Sequence, residues 1–259
     1  MLIDQSNNTD AFNKISEEYE KYRPTYPDVC FDFIDSYFNE KSKDTMLDVG
    51  CGTGIATRKL FKKFGENAKI IGLEPSDEMR NQAINNSSKE ISFINGVAEE
   101  LPFKEEEVSG VITAQAIQWF TRPMFYKEVG RVLQKGGIFV ILQNNRDWKN
   151  NAFLDKYEEL LEKYNDNYNR GYRDIDFNKE ISESNLFSDS VFMNCKWGKL
   201  MTFEDFLGLS RSSTKAKKII DKIGLEEYKK VLGGIFNKYM DEEQKMNITY
   251  NTEMYMFKK

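Results

Sequence analysis

One short segment limits the folds open to this chain more than any other: Asp48-Val49-Gly50-Cys51-Gly52-Thr53-Gly54. It closes an apolar run, Thr45–Val49, and leads into Ile55, Ala56, Leu60 and Phe64 at helical spacing. A buried strand, a glycine turn and a helix in that order make the opening unit of a parallel α/β sheet. Glycines let a backbone approach a ligand where a Cβ would clash. In an open sheet ligands gather beyond the carboxyl ends of the strands, so this turn is the first candidate site.

The alternation continues downstream. Lys69–Glu74, Ile91–Asn95, Val108–Ala114 and Ile138–Gln143 read as strands, the last nearly continuous in apolar residues as expected for a sheet covered on both faces. Ser76–Asn85 reads as a helix capped by Ser76 or Asp77, and Arg122–Leu133 as one closed by Gly136-Gly137. Upstream, Val29, Cys30, Phe33, Ile34, Tyr37 and Phe38 form a helical stripe opened by Pro27. Past Asn144 the regularity is lost. Helices are expected near 153–164, 203–209, 214–223 and 225–240, with strands over Val191–Met201 and Met246–Phe257. We divide a single domain into N-terminal cap helices (1–40), a core (44–143), an insertion (144–245) and a final strand (246–259). The insertion suits a substrate lid, or else simply covers a face of the sheet.

Bulk properties narrow the partners. With 40% hydrophobic and 14% aromatic residues the chain can pack a core. It contains no apolar run near the ~18 residues that cross a bilayer. The start, MLIDQSNNTDAF, lacks the basic and apolar regions of a secretory leader, and three well-separated cysteines suit free thiols, so a cytoplasmic protein is expected. A net charge of −5 disfavours nucleic acid, and the basic run Lys215–Lys222 reads as the solvated face of a helix. No apolar surface helix stands out, and a monomer is expected. The chain has no histidine, which rules out His-based triads and His metal sites; cysteine spacing offers no zinc cluster, so no metal is expected. Acid–base work falls to Asp, Glu, Tyr or Lys.

The spacing within the turn discriminates between cofactors. A dinucleotide site wants G-x-G-x-x-G, and Ile55 stands where its third glycine would fall, which weakens the reading as an NAD-type oxidoreductase. Asp48 is poorly placed for a phosphate but can attract an ammonium. Glu74, twenty residues beyond Gly54, can accept hydrogen bonds from both hydroxyls of a ribose. Together these favour S-adenosylmethionine (SAM).

MLDVGCGTG, GLEPSDEM and GVAEELPF over residues 46–103 resemble the class I SAM-dependent methyltransferases. The nearest likeness is to the small-molecule group of trans-aconitate and ubiquinone/menaquinone-type enzymes, which AQAIQWF (114–120) and YEKYRPTYP (19–27) also resemble. The resemblance implies a Rossmann-like doubly wound α/β sheet of seven strands, mostly parallel with the last antiparallel, carrying an inserted helical lid. It further implies roles for matching positions. Gly50, Gly52 and Gly54 would shape the backbone around the methionine part of SAM, with Asp48 near its amino group and Arg23 on its carboxylate. Glu74 would hold the ribose, with Pro75 and Met79 near the adenine, Ala98 offering its amide and Glu99 reaching the exocyclic amine. Gln115 would lie beside the methionine and the reacting centre, with Tyr19 and Tyr22 closing over it. Core packing is the alternative for Tyr19, Tyr22 and Met79.

One departure matters: relatives often carry histidine where this chain has Gln118, which can orient a substrate but cannot take a proton. Gln115, Gln118 and Trp119 are therefore the candidates at the reacting centre, and an acceptor that arrives ionised would need no base. Trp119 and Phe120 would line its pocket or seal the sheet. Arg211, Arg170 and Arg173 are candidate clamps for an anionic acceptor, or else solvated surface. The expected reaction is methyl transfer from SAM, leaving S-adenosylhomocysteine, to a small molecule with a carboxylate or other anionic group. A non-catalytic SAM-binding protein is the alternative.

Overall fold

The computed structural model describes residues 22–37 and 44–259. Helix α1 (Asp28–Ser36) precedes strand β1 (Thr45–Val49), and the glycine turn leads from β1 into α2 (Ile55–Phe64). Then come β2 (Lys69–Leu73), α3 (Asp77–Asn85), β3 (Ser92–Ile94), β4 (Val108–Ala114), α4 (Arg122–Val132) and β5 (Leu133–Arg146). After β5 follow α5 (Ala152–Tyr164), α6 (Phe177–Ser184), β6 (Ser188–Met201), α7 (Phe203–Arg211), α8 (Thr214–Ile223), α9 (Leu225–Phe236) and β7 (Met246–Lys258).

The strands form one seven-stranded sheet in the order β3-β2-β1-β4-β5-β7-β6. β1 to β5 run parallel, and β7 is antiparallel to both β5 and β6. This is the doubly wound, Rossmann-like arrangement expected from the sequence, seven strands with the last antiparallel. Strand order reverses between β1 and β4, so the crevice beyond their carboxyl ends is where a ligand belongs. Successive residues of each strand point to opposite faces, and both faces are covered. Leu47, Val49, Val111, Phe139 and Ile141 pack into one core with α4 and α6, while Met46, Ile112, Val140 and Leu142 pack into another with α1 and α2. Double burial explains why these strands read as continuous apolar runs.

A third core lies off the sheet. Helices α5, α7, α8 and α9 bury Phe153, Tyr157, Phe206, Ile219, Tyr228 and Phe236 against Met246, Ile248 and Tyr250 at the start of β7. Phe153 meets Phe206 and Phe236 edge-on, with ring centres 4.8 and 5.4 Å apart. The expected insertion thus has an apolar centre of its own, anchored to the last strand.

Several boundaries differ from expectation. Helix α4 ends at Val132, and Gly136-Gly137 lie inside β5 rather than closing the helix. A Cβ on Gly137 would stand 2.9 Å from the carbonyl oxygens of Gln134 and Ser109, so these glycines serve strand approach. β5 runs three residues beyond Gln143, because Asn144, Asn145 and Arg146 pair with Thr252, Asn251 and Tyr250 of β7. Helix α6 was expected to be irregular. It is pinned by Glu180, which accepts two hydrogen bonds from Arg122 at 2.8 Å and one from Tyr126 at 2.9 Å. Helix α9 stops at Phe236 instead of Met240. Tyr19, Phe38 and most of the expected cap over 1–40 lie outside the described residues.

Truncating a ring at the centre of the third core should be expensive. Phe206→Ala is expected to destabilise the protein by about 3–5 kcal/mol, seen as a lower midpoint in urea unfolding; a loss below ~1 kcal/mol would mean that this helical cluster is not a packed core.

Candidate cofactor cavity and adjoining chamber

The turn after β1 is held in place by its neighbour strand. The Gly50 and Cys51 amides donate to the Leu73 carbonyl at 2.9 and 3.1 Å, and the Gly52 amide donates to Glu74 Oε2 at 2.9 Å. The other carboxylate oxygen of Glu74 accepts from the Ser76 amide at 3.0 Å. Gly50 and Gly52 both take left-handed φ values, +70° and +57°. A Cβ on Gly50 would collide with Ala116 and Phe120 at 2.6 and 2.9 Å, whereas one on Gly52 would project into open space. The turn therefore presents bare backbone to a cavity at Gly52.

That cavity has a volume of about 210 Å³. Arg23, Asp48, Gly50, Gly52, Glu74, Pro75, Met79, Ala98, Glu99, Gln115 and Trp119 line it, all of them candidates from the sequence. Gly54, Tyr22 and Arg211 lie elsewhere, and Gln118 lines only the adjoining chamber. Gly54 is the N-cap residue of α2, packed against Ala83 and Phe93, and supports the turn without facing the cavity. The Tyr22 ring lies against Gly208 of α7 and joins the helical core. Arg211 does not line the cavity; the next residue, Ser212, accepts a hydrogen bond from Arg23 at 3.0 Å.

Electrostatically the turn is acidic. Asp48 is fully buried; Thr57 donates to its Oδ2 at 2.6 Å, and Oδ1 has no partner. Burial, opposed by the Thr57 hydrogen bond and reinforced by the nearby Glu74 charge, pushes the Asp48 carboxyl up to about 7. Glu74 is raised too, first by burial, against the two backbone amides and Arg80. An acid pair with an unmet acceptor oxygen fits a cationic group, and the exposed edge of Glu74 fits hydroxyl donors. Glu99 is already engaged, accepting from the Thr121 amide at 2.6 Å.

Gln115 follows β4 with φ at +60°, a conformation rare outside glycine and a common signature of functional sites. Its backbone carbonyl accepts from Gln118 Nε2 at 2.7 Å, while its own side-chain amide nitrogen is buried without a partner. Gln115 and Trp119 belong to two spaces at once. Beyond them a second chamber is lined by Arg23, Gln118, Arg146, Tyr168, Tyr172, Arg173 and Lys215. The two spaces share Arg23, Gln115, Trp119, Arg146 and Arg173.

Of the arginines weighed as clamps, only Arg173 reaches this chamber. Arg170 is spent on structure, with Asp155 at 2.5 Å and Glu162 at 2.6 Å and its guanidinium 4.9 Å from the Trp148 ring centre. Arg146 reaches the chamber because β5 runs past Gln143, the expected end of the strand, to pair with Tyr250. Lys215 was read as solvated helix face, yet its ammonium is drawn inward among aromatic rings. Burial lowers the Lys215 pKa. Burial raises the Tyr172 phenol, but Arg173, Lys215, Arg146 and Arg23 more than offset this and leave it below its ordinary value.

Comparison with known proteins agrees with this architecture. Residues 47–141 match the family model described as a methyltransferase domain. A putative methyltransferase of Dictyostelium discoideum is 34% identical over 164 residues, 60% of this chain and 59% of that protein. A probable S-adenosylmethionine-dependent methyltransferase of Saccharomyces cerevisiae, CRG1, is 33% identical over 130 residues, 48% of this chain and 43% of its own length. The matched regions thus span about half the length of these relatives. Among solved structures, a putative type II methyltransferase from Anaeromyxobacter dehalogenans superposes with a TM-score of 0.64 at 21% identity, over 92% of this chain and 98% of that one; at such identity the likeness is one of fold. Residues 47–141 thus match a methyltransferase domain, on a fold shared with a solved putative methyltransferase.

The buried acid gives a pH signature. Burial raises the Asp48 pKa from its ordinary 3.8 to about 7 in the folded protein, so stability falls as pH rises between those values and is flat above. Ionising it with no cation opposite costs on the order of 4 kcal/mol. Asp48→Asn is therefore expected to melt higher than the wild type at pH 8, with the gap closing below pH ~4, while SAM affinity falls. Identical melting curves at pH 8 would remove the buried charge from the account.

Proposed function

We propose that this protein transfers a methyl group from SAM to a small-molecule acceptor that bears a carboxylate or another anionic group. The observation that carries the reading is the continuity of a cavity whose glycine-turn side holds two buried acids with a chamber lined by arginines and Lys215, the two sharing Gln115 and Trp119. The fit of SAM rests on the unmet Asp48 oxygen, the open face of Gly52 and the buried Glu74 carboxylate. Asp48 would take the ammonium, Arg23 the carboxylate, and Glu74 the ribose hydroxyls. Pro75, Met79 and Ala98 would line the adenine end. When bound, SAM supplies a methyl group activated by its sulfonium.

The chain's own residues then have one main task, to hold an acceptor in line. Alignment of two reactants at near-attack distance is worth ~7–11 kcal/mol. Gln115 and Trp119 form the boundary at which the acceptor would meet the cofactor. The lack of histidine suits an acceptor that reacts in its ionised form, without a general base. Among the described residues no helix is long and apolar enough to cross a membrane, and Cys30, Cys51 and Cys195 are unpaired thiols. The setting we propose is a cytoplasmic monomer acting on free metabolites.

Isothermal titration should give heat with SAM and with S-adenosylhomocysteine and none with NAD. Glu74→Ala should weaken both sulfur compounds about tenfold or more. Incubation with methyl-labelled SAM and a metabolite mixture should label an anionic product. Absence of binding, or an unaltered Glu74→Ala, would overturn the cofactor assignment; binding without any labelled product would make the protein a SAM-binding module and not an enzyme.

A further inference from the structure

The charge inside the second chamber is unbalanced. Arg146 is neutralised by buried Glu158, which accepts from its Nε at 2.8 Å and lies 2.7 Å from NH2. Arg173 and Lys215 have no such partner: neither makes an ion pair with a carboxylate among the described residues. Arg173 donates only to neutral oxygens, the Asn144 carbonyl at 3.4 Å and Asn145 Oδ1 at 3.3 Å, and its buried Nε has no acceptor. The Lys215 ammonium rests on ring faces instead, 4.7 Å from the Tyr172 centre, 5.4 Å from Trp119 and 5.9 Å from Tyr168.

Ring faces return only part of what water gives an ammonium. A buried donor without an acceptor adds its own desolvation cost. Donors outnumber acceptors in this space among the described residues: the Arg173 Nε–H, the Lys215 ammonium and the Gln115 amide nitrogen lack acceptors, against one unpartnered acceptor, the Gln118 Oε1. A water could meet one of these donors but would leave both charges in place. An oxyanion meets both needs at once, since it carries only acceptor sites and a compensating charge. Tyr172 and Trp119 would then flank it with apolar surface.

We infer that the second chamber is the seat of an oxyanion on the methyl acceptor, held between Arg173 and Lys215 with the Gln115 amide as a further donor. The oxyanion acts as a handle, a carboxylate or a phosphate, and the reacting atom lies on the side of Gln115 that faces the cofactor cavity. Arg173 and Lys215 are specificity-determining residues. This assignment rests on the methyltransferase reading above.

The test uses the full chain loaded with S-adenosylhomocysteine, titrated calorimetrically at constant ionic strength with malonate, inorganic phosphate and neutral malonamide. Malonate or phosphate is expected to bind and malonamide not. The tighter of the two identifies the handle. Lys215→Met and Arg173→Gln should each weaken that anion about tenfold or more, and Lys215→Arg should recover most of the loss. Exposed Lys218, on the same helix, serves as control, and Lys218→Met should bind like the wild type. Retention of S-adenosylhomocysteine by Lys215→Met reports an intact fold. The assignment is overturned if neither anion binds the loaded protein, if malonamide binds as well as malonate, or if both variants bind the anion as the wild type does. Failure of S-adenosylhomocysteine to bind the wild type would instead remove the cofactor reading.

Discussion

The Glu74 carboxylate ties the ends of the first two strands together: one oxygen receives the Gly52 amide and the other the Ser76 amide. Through the first contact it fixes the glycine turn; through the second it sets the start of α3, whose N-cap is Ser76. A buried carboxylate is costly unless its acceptor sites are filled. Here two backbone amides fill part of them, and the remaining capacity is directed at the cavity. The same group is thus both the clamp on the turn and the surface the turn offers a ligand. Removing it would loosen the loop and blunt the site together, so cofactor affinity and loop order are coupled in this protein.

The polarity of the two spaces follows from which elements build each. The sheet side contributes acids, Asp48 from β1 and Glu74 after β2, buried deeply enough that both resist ionisation. The far side contributes bases: Arg146 from the end of β5, Arg173 from the segment before α6, and Lys215 from the first turn of α8. A cofactor with a sulfonium and an ammonium suits the first. An acceptor with negative charge suits the second. Gln115 sits where they meet, uncharged and in a strained backbone conformation that the surrounding pairing with Leu142 maintains.

Much of the sheet was legible because its strands are buried on both faces, which leaves continuous apolar runs such as Phe139–Leu142. The turn was legible because its glycines, Asp48 and Glu74 answer to a single ligand at fixed spacing. The second chamber was not. Asn144-Asn145-Arg146 resembles a loop by composition and is strand only because β7, over a hundred residues later in sequence, pairs with it. Lys215 stands in a run with Lys217 and Lys218, and nothing local marks the one whose ammonium meets Trp119, Tyr168 and Tyr172. Arg170 and Arg173 look alike in sequence, yet acids on α5 claim the first and leave the second to the chamber.

The helical cluster over residues 152–236 is what makes that chamber possible. Its apolar centre is anchored on Met246, Ile248 and Tyr250, so the helices are positioned by the strand that also extends β5. Buried Glu158 of α5 reaches back to Arg146 at the end of β5, and Tyr168 donates to the same carboxylate at 2.6 Å. One acid therefore neutralises the strand's cation and orients an aromatic wall of the chamber. Because Glu158 is used up in this way, it cannot balance Arg173 or Lys215. The charge those two leave uncovered is a consequence of how the cluster is attached, and the requirement for an anion is built into the same contacts that hold the helices on the sheet.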